Sequence, residues 1–298
     1  MKNLKSKKIS HPWLGKKIGQ FLFEKELGKG ACATVFLAHD NSSGRKYAVK
    51  VLYDSLCKNS EYVNSFVEEA RKAIKLKHPN ILRVYSVATF ENRYFMVSEF
   101  AVNGTVQDML DRKTKIPLKE AVRMAHEAAE GLMFAENKGI VHRDIKPANL
   151  LISKDSSIKI ADLGIADKKG GDSGDADDIY GSPHYMAPEQ AMGKPVTSQS
   201  DIYSLGATLY HMLTGKTPFT ATGRRGLIMK HLNEKPVPVN RVVPTIPKKA
   251  GDTINLMMAK KPEDRFQNFA QVITALELLE NLKTLDKLRL SRYQRKER

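Results

Sequence analysis

The chain has 298 residues, 41% of them hydrophobic, enough for one large or two modest cores. No run of about 18 apolar residues occurs, so no membrane-spanning helix is expected, and only two cysteines, Cys32 and Cys57, rule out a disulfide framework and fit a reducing, cytoplasmic setting. The net charge of +16 gathers at the ends: residues 1–30 hold eight lysines against Glu24 and Glu26, a net +6, and residues 281–298 hold seven Lys and Arg against Asp286 and Glu297, a net +5.

The basic start is not followed by an apolar stretch, so no secretory signal is expected. The charged ends read as solvated termini. Contact with nucleic acid or an anionic membrane is the lesser alternative, because no zinc spacing, helix-turn-helix or aromatic–basic alternation accompanies the charge.

In chain order, residues 20–27 and 34–39 are short β-rich runs, Asn41-Ser42-Ser43-Gly44 is a turn, and residues 45–52 resume a strand. Residues 62–76 predict a helix from Glu68, Glu69, Ala70, Arg71, Lys72 and Ala73, ended by His78-Pro79-Asn80. Residues 81–88 and 94–100 predict two more strands. After Asn103-Gly104 the pattern turns helical. Residues 118–138 carry Ala121, Val122, Ala125, Ala128, Ala129 and Leu132 at helical spacing, with Gly139 as a C-terminal cap. Residues 202–213 are almost wholly apolar and predict a buried central helix, and residues 250–260 and 269–282 predict two further helices. The expected class is α+β: a β-rich lobe over about 14–101 with one main helix, a larger helical lobe over about 102–282, and a hinge at Glu99-Phe100-Ala101. A basic arm, 1–13, and a basic tail, 283–298, flank them.

Several stretches carry chemistry. Leu27-Gly28-Lys29-Gly30-Ala31-Cys32-Ala33-Thr34-Val35 joins the first two strands, and glycines there let main-chain N–H groups approach phosphate oxygens. No helix follows, which excludes a dinucleotide-binding Rossmann start. Tyr47-Ala48-Val49-Lys50 ends an apolar strand in a lysine. Glu69, on the following helix, is the preferred partner over Glu68 because it sets Ala73 and Leu76 on the inward face. His142-Arg143-Asp144-Ile145-Lys146-Pro147-Ala148-Asn149 spaces an acid, an ammonium and an amide as phosphoryl transfer requires: Asp144 to accept a hydroxyl proton, Lys146 to offset phosphate charge, Asn149 to hold a metal ion. Ala161-Asp162-Leu163-Gly164 follows another strand, with Asp162 a second metal ligand. Met186-Ala187-Pro188-Glu189 lies further on, and Arg265 is expected to pair with Glu189.

With these motifs in this order, the chain resembles the bacterial-type (Hanks-type) serine/threonine protein kinases over residues 14–282. The resemblance implies a two-lobed protein-kinase-like fold, use of ATP with Mg2+ (Mn2+ as a possible substitute), and protein substrates phosphorylated on Ser or Thr. It makes Asp144 the catalytic base, places Lys146 at the γ-phosphate, and gives Asn149 and Asp162 the metal. ATP would be held by the loop residues Leu27, Gly28, Lys29, Gly30, Ala31, Cys32, Ala33 and Val35. Ala48, Lys50 and Glu69 would act behind them, and Glu99, Ala101 and Leu151 would complete the nucleotide site. Asp201 would anchor the catalytic loop.

Four features bear on that match. Ala33 stands where the family has a third glycine, Cys32 at the loop tip, Leu163 in place of Phe, and Ser182 in place of Thr, its hydroxyl able to bond Asp144 and Lys146. Two rivals, a small-molecule phosphotransferase and a catalytically dead scaffold, are disfavoured. The segment 181–189 suits peptide docking, and no catalytic group is missing. No Thr lies between Asp162 and Glu189, while Asp172, Asp175, Asp177 and Asp178 cluster beside Ser173. Basal activity, raised modestly by modification of Ser173, is expected. Substrates and oligomeric state are not legible.

Overall fold

The computed structural model describes residues 12–163 and 182–281. The expectations for Gly164, Gly181, Ser173 and the acidic cluster, and for the basic arm before Pro12 and the basic tail, lie outside the described residues. The chain divides into two compact units. One comprises the chain up to Lys77 together with Arg83–Ala101, and the other comprises His78–Leu82 and the chain from Val102 onward.

The first unit is an antiparallel sheet of β1 (Lys17–Ile18), β2 (Phe21–Lys29), β3 (Ala33–Asp40), β4 (Lys46–Leu52), β5 (Val84–Phe90) and β6 (Arg93–Glu99), in the order β1-β2-β3-β4-β6-β5. Alternation along β4 decides which face does what. Val49 and Val51 join Phe23, Phe36, Phe95 and Val97 in a core closed by Trp13, whose ring meets Phe23 edge-on at 5.2 Å. Trp13 is 3% exposed, so the packed unit takes in the end of the expected arm. Ala48 and Lys50 project from the opposite face of β4, with Val35 paired across from Lys50. The helix α1 (Ser60–Lys75) begins at Asn59, whose side chain accepts from the N–H groups of Glu61 and Tyr62, and it buries Phe66, Ala70 and Ala73 at helical spacing.

The second unit holds α2 (Val106–Lys113), α3 (Leu118–Glu136), the short antiparallel pair β7 (Leu150–Ile152) and β8 (Ile158–Ile160), and then α4 (Pro188–Ala191), α5 (Ser198–Thr214), α6 (Gly223–Asn233), α7 (Val239–Val242), α8 (Lys248–Met257) and α9 (Phe269–Glu280). The apolar stretch at 202–213 is a buried central helix: fourteen residues of α5, Ser200 to Tyr210 and Met212 to Thr214, are out of water. It stops at Gly215, in the left-handed region at φ 72°, where an added Cβ would lie 2.5 Å from the Thr114 carbonyl oxygen.

The expected strand at 81–88 starts later, at Val84. Residues His78–Leu82 instead belong to the helical unit: Ile160 N–H donates to Asn80 O, Leu82 N–H to Ile160 O, and Asn80 Nδ2 to Ile158 O. Gly131 of α3 permits this, since a Cβ there would meet the Asn80 carbonyl oxygen at 2.9 Å. No helix among the described residues is long and apolar enough to cross a membrane.

Candidate active site

The stretch 142–149 is held by main-chain accounting. Asp201, at the buried start of α5, accepts the N–H of His142 through Oδ2 at 2.7 Å and that of Arg143 through Oδ1 at 2.8 Å. Burial pushes the Asp201 carboxyl upward, and these two donors oppose that shift. Arg143 sits at φ 69°, an uncommon conformation for a side chain of its size, and its carbonyl accepts from Gln190 Nε2 at 2.6 Å. His142 is wholly buried. Its Nε2 donates to the Ala161 carbonyl at 2.9 Å, and its Nδ1 accepts the Asp144 N–H at 3.2 Å, which fixes the tautomer with the proton on Nε2.

Asp144 is thereby presented with a defined set of partners. Its Oδ2 accepts from Lys146 Nζ at 2.6 Å and from Asn149 Nδ2 at 3.1 Å, and its Oδ1 accepts the main-chain N–H of Ser182 at 3.2 Å. It is this N–H of Ser182, where the sequence pointed to the hydroxyl, that reaches Asp144. Asn149 Nδ2 also donates to the Asp144 carbonyl at 2.7 Å, which commits the amide nitrogen and leaves the amide oxygen as the atom able to act as a ligand. The ladder then brings in the second acid. Leu150 pairs with Ile160, and Ala161 N–H donates to Asn149 O at 2.9 Å, so Asp162 follows directly beside Asn149. Asp162 is exposed and held at φ 53°. Leu151 lies half-buried on β7, one residue beyond the pairing with Ile160.

In the β-rich unit, Lys50 Nζ stands 3.7 Å from Glu69 Oε1 with both side chains largely covered, while Glu68 faces water and pairs with Arg71. Leu27, Gly28 and Lys29 at the end of β2 and Gly30 and Ala31 beyond it are exposed, Cys32 is half-buried, and Ala33 is buried where β3 begins. Lys29 pairs with Glu26 at 3.7 Å. A tight turn closes the loop, with Gly30 N–H donating to Ala33 O at 2.8 Å, and leaves the N–H groups of Ala31 and Cys32 at its tip. Nothing lies within 4 Å of a Cβ built on Gly28. Such an open, glycine-containing turn suits phosphate oxygens. Glu99 ends β6 with Oε1 accepting the Arg83 N–H, and Ala101 closes the unit.

A protein kinase domain model matches residues 21–278. The chain belongs to the protein kinase family. Its similarity runs to bacterial serine/threonine members: 36% identity over 88% of this chain with a probable serine/threonine-protein kinase of Clostridium acetobutylicum, 33% over 85% with serine/threonine-protein kinase PrkC of Bacillus subtilis, and 34% over 83% with serine/threonine-protein kinase PknB of Mycolicibacterium smegmatis. The chain spans 40% of the length of each of these relatives. For this kinase domain, sequence reasoning assigned nothing to His142 or Gln190. His142 lay inside a motif already singled out. Gln190 carries no signal of its own, because its role comes from the Arg143 carbonyl that only the fold brings to it.

Proposed function

We propose that this chain is an ATP- and Mg2+-dependent protein kinase that transfers the γ-phosphate to serine or threonine hydroxyls of protein substrates in the cytoplasm. The observation that carries the reading is Asp144, a carboxylate pinned by Lys146, Asn149 and the Ser182 N–H, with Asp162 set beside Asn149 by the β7–β8 ladder. Asp144 orients the acceptor hydroxyl and takes its proton as the oxygen–phosphorus bond forms and the bond to the ADP oxygen breaks. Lys146 offsets negative charge on the transferring group. Lys50, steadied by Glu69, binds the α- and β-phosphates, and the amides at the Gly28–Ala33 turn cover them.

The donor set fits a hard cation. Asn149 offers an amide oxygen and Asp162 a carboxylate. Among the described residues no group of three or more His, Cys, Asp or Glu side chains could hold a metal without further ligands, and Mg2+ needs none, since it keeps waters and phosphate oxygens in its octahedron. When bound, the metal spreads the charge of the phosphates, and Mn2+ can substitute for it. The test is transfer of label from γ-labelled ATP to proteins of a cell lysate, followed by phosphoamino-acid analysis. Mg2+-dependent label on Ser or Thr is expected. Absence of transfer, or label confined to small molecules, contradicts the reading.

A further inference from the structure

Tyr53 lies three residues beyond Lys50, just past the end of β4, and touches the glycine turn twice. Its hydroxyl donates to the Gly30 carbonyl at 2.8 Å, and its main-chain N–H donates to the Cys32 carbonyl at 2.9 Å. The two bonds bracket the tip. Peptide geometry gives them a consequence, because the C=O and N–H of one trans peptide point in opposite directions. Drawing the Gly30 carbonyl toward Tyr53 turns the Ala31 N–H to the other side of the turn. Ala31 is exposed, and the Gly30 N–H is already used by Ala33 O, so the Ala31 N–H is the tip amide whose direction the hydroxyl sets.

We infer that Tyr53 is a positioning residue for nucleotide binding: its hydroxyl holds the glycine turn with the Ala31 amide presented to a phosphate oxygen. The inference rests on the kinase reading above. The turn is solvent-exposed and glycine-containing, and the hydroxyl bond is the one that holds its Gly30–Ala31 peptide plane. Tyr53 itself is half-buried and directly follows β4, the strand that carries Lys50. The strand that supplies the phosphate-binding ammonium thus leads directly into the tether for the loop.

Tyr53→Phe removes the hydroxyl and keeps both the ring and the N–H to Cys32. The expected result is a KM for ATP raised about fivefold, the effect of one lost hydrogen bond, with kcat unchanged. Alkylation of Cys32 by iodoacetamide in the absence of nucleotide should become faster, because the tip moves more freely. A merely structural role for Tyr53 would lower the thermal midpoint without separating KM from kcat. Tyr53→Leu, which also removes the ring, should show the same split. An unchanged KM in Tyr53→Phe, whatever Cys32 does, overturns the inference, as does a fall in kcat at constant KM. Failure of the wild type to turn over ATP defeats the kinase reading itself and is seen before any variant is compared.

Discussion

Glu189 and Arg265, 76 residues apart, are joined by two hydrogen bonds of 2.7 and 2.8 Å with both side chains almost entirely out of water. The guanidinium spends its remaining donors on the carbonyls of Ala259, Gln199 and Lys260. Ser200 Oγ donates to the same carboxylate. Burial pushes the Glu189 carboxyl upward, but Arg265 and Ser200 together outweigh it and hold the group below the usual range. The pair ties the segment after Ser182, which reaches Asp144, to the last third of the chain.

Arg265→Ala should therefore lower the unfolding free energy by about 3–5 kcal/mol, because it strands a buried carboxylate and three carbonyls. Arg265→Lys should recover only part of the loss, since an ammonium cannot bond both carboxylate oxygens in the same fork. Urea unfolding at neutral pH measures both. A loss below about 1 kcal/mol for the alanine variant would place the pair among weak surface contacts.

Gly131 offers a second test of packing. A Cβ there meets the Asn80 carbonyl at 2.9 Å and Ile160 Cδ1 at 2.8 Å. Helix propensity alone favours Gly131→Ala by about 1 kcal/mol. Overpacking against a fixed main chain works the other way, at about 1–3 kcal/mol, so net destabilisation is expected. A stabilised variant in thermal unfolding would show that His78–Leu82 can move aside.

How far the sequence was legible follows from what kind of signal each feature carries. Strongly periodic or wholly apolar stretches announced α3 and α5, and motif spacing marked Asp144, Asn149 and Asp162. The choice of Glu69 over Glu68 followed from the inward face of α1. The two-residue β1 and the helix α6 went unread, because neither has a sustained pattern: α6 buries only Leu227, Ile228 and His231 and carries Arg224, Arg225 and Lys230 beside them. The transfer of His78–Leu82 to the helical unit was also illegible. It depends on a backbone ladder to Ile160 and on the space left by Gly131, neither of which appears in local composition.

The buried imidazole of His231 gives a pH dependence. Its ring lies 4.8 Å from that of Phe219, its Nδ1 accepts from the Tyr203 hydroxyl at 2.9 Å, and Lys260 Nζ donates to its carbonyl. Burial first, and the Lys260 charge second, push it down to about 3. The unfolded chain has this group near ~6.5 and so binds one more proton between those values. The contribution is complete above the unfolded value and is lost as pH falls toward the folded one, by up to about 1.4 kcal/mol per pH unit. Unfolding of wild type and His231→Gln at pH 7.5 and 4.5 checks this. The variant should be less stable at the higher pH but lose less on acidification. Parallel losses in both proteins would assign the acid sensitivity to other groups.

The most direct measurement is steady-state phosphate transfer by Asp144→Asn. The substitution keeps the side chain's size and its contact with Lys146 but removes the proton acceptor. A kcat reduced by about 10²–10⁴-fold is expected, the range for loss of a positioned general base, with KM for ATP little changed because Lys50 and the glycine turn, which hold the α- and β-phosphates, are untouched. Turnover equal to that of the wild type would contradict the assignment of Asp144 and, with it, the proposed chemistry of this site.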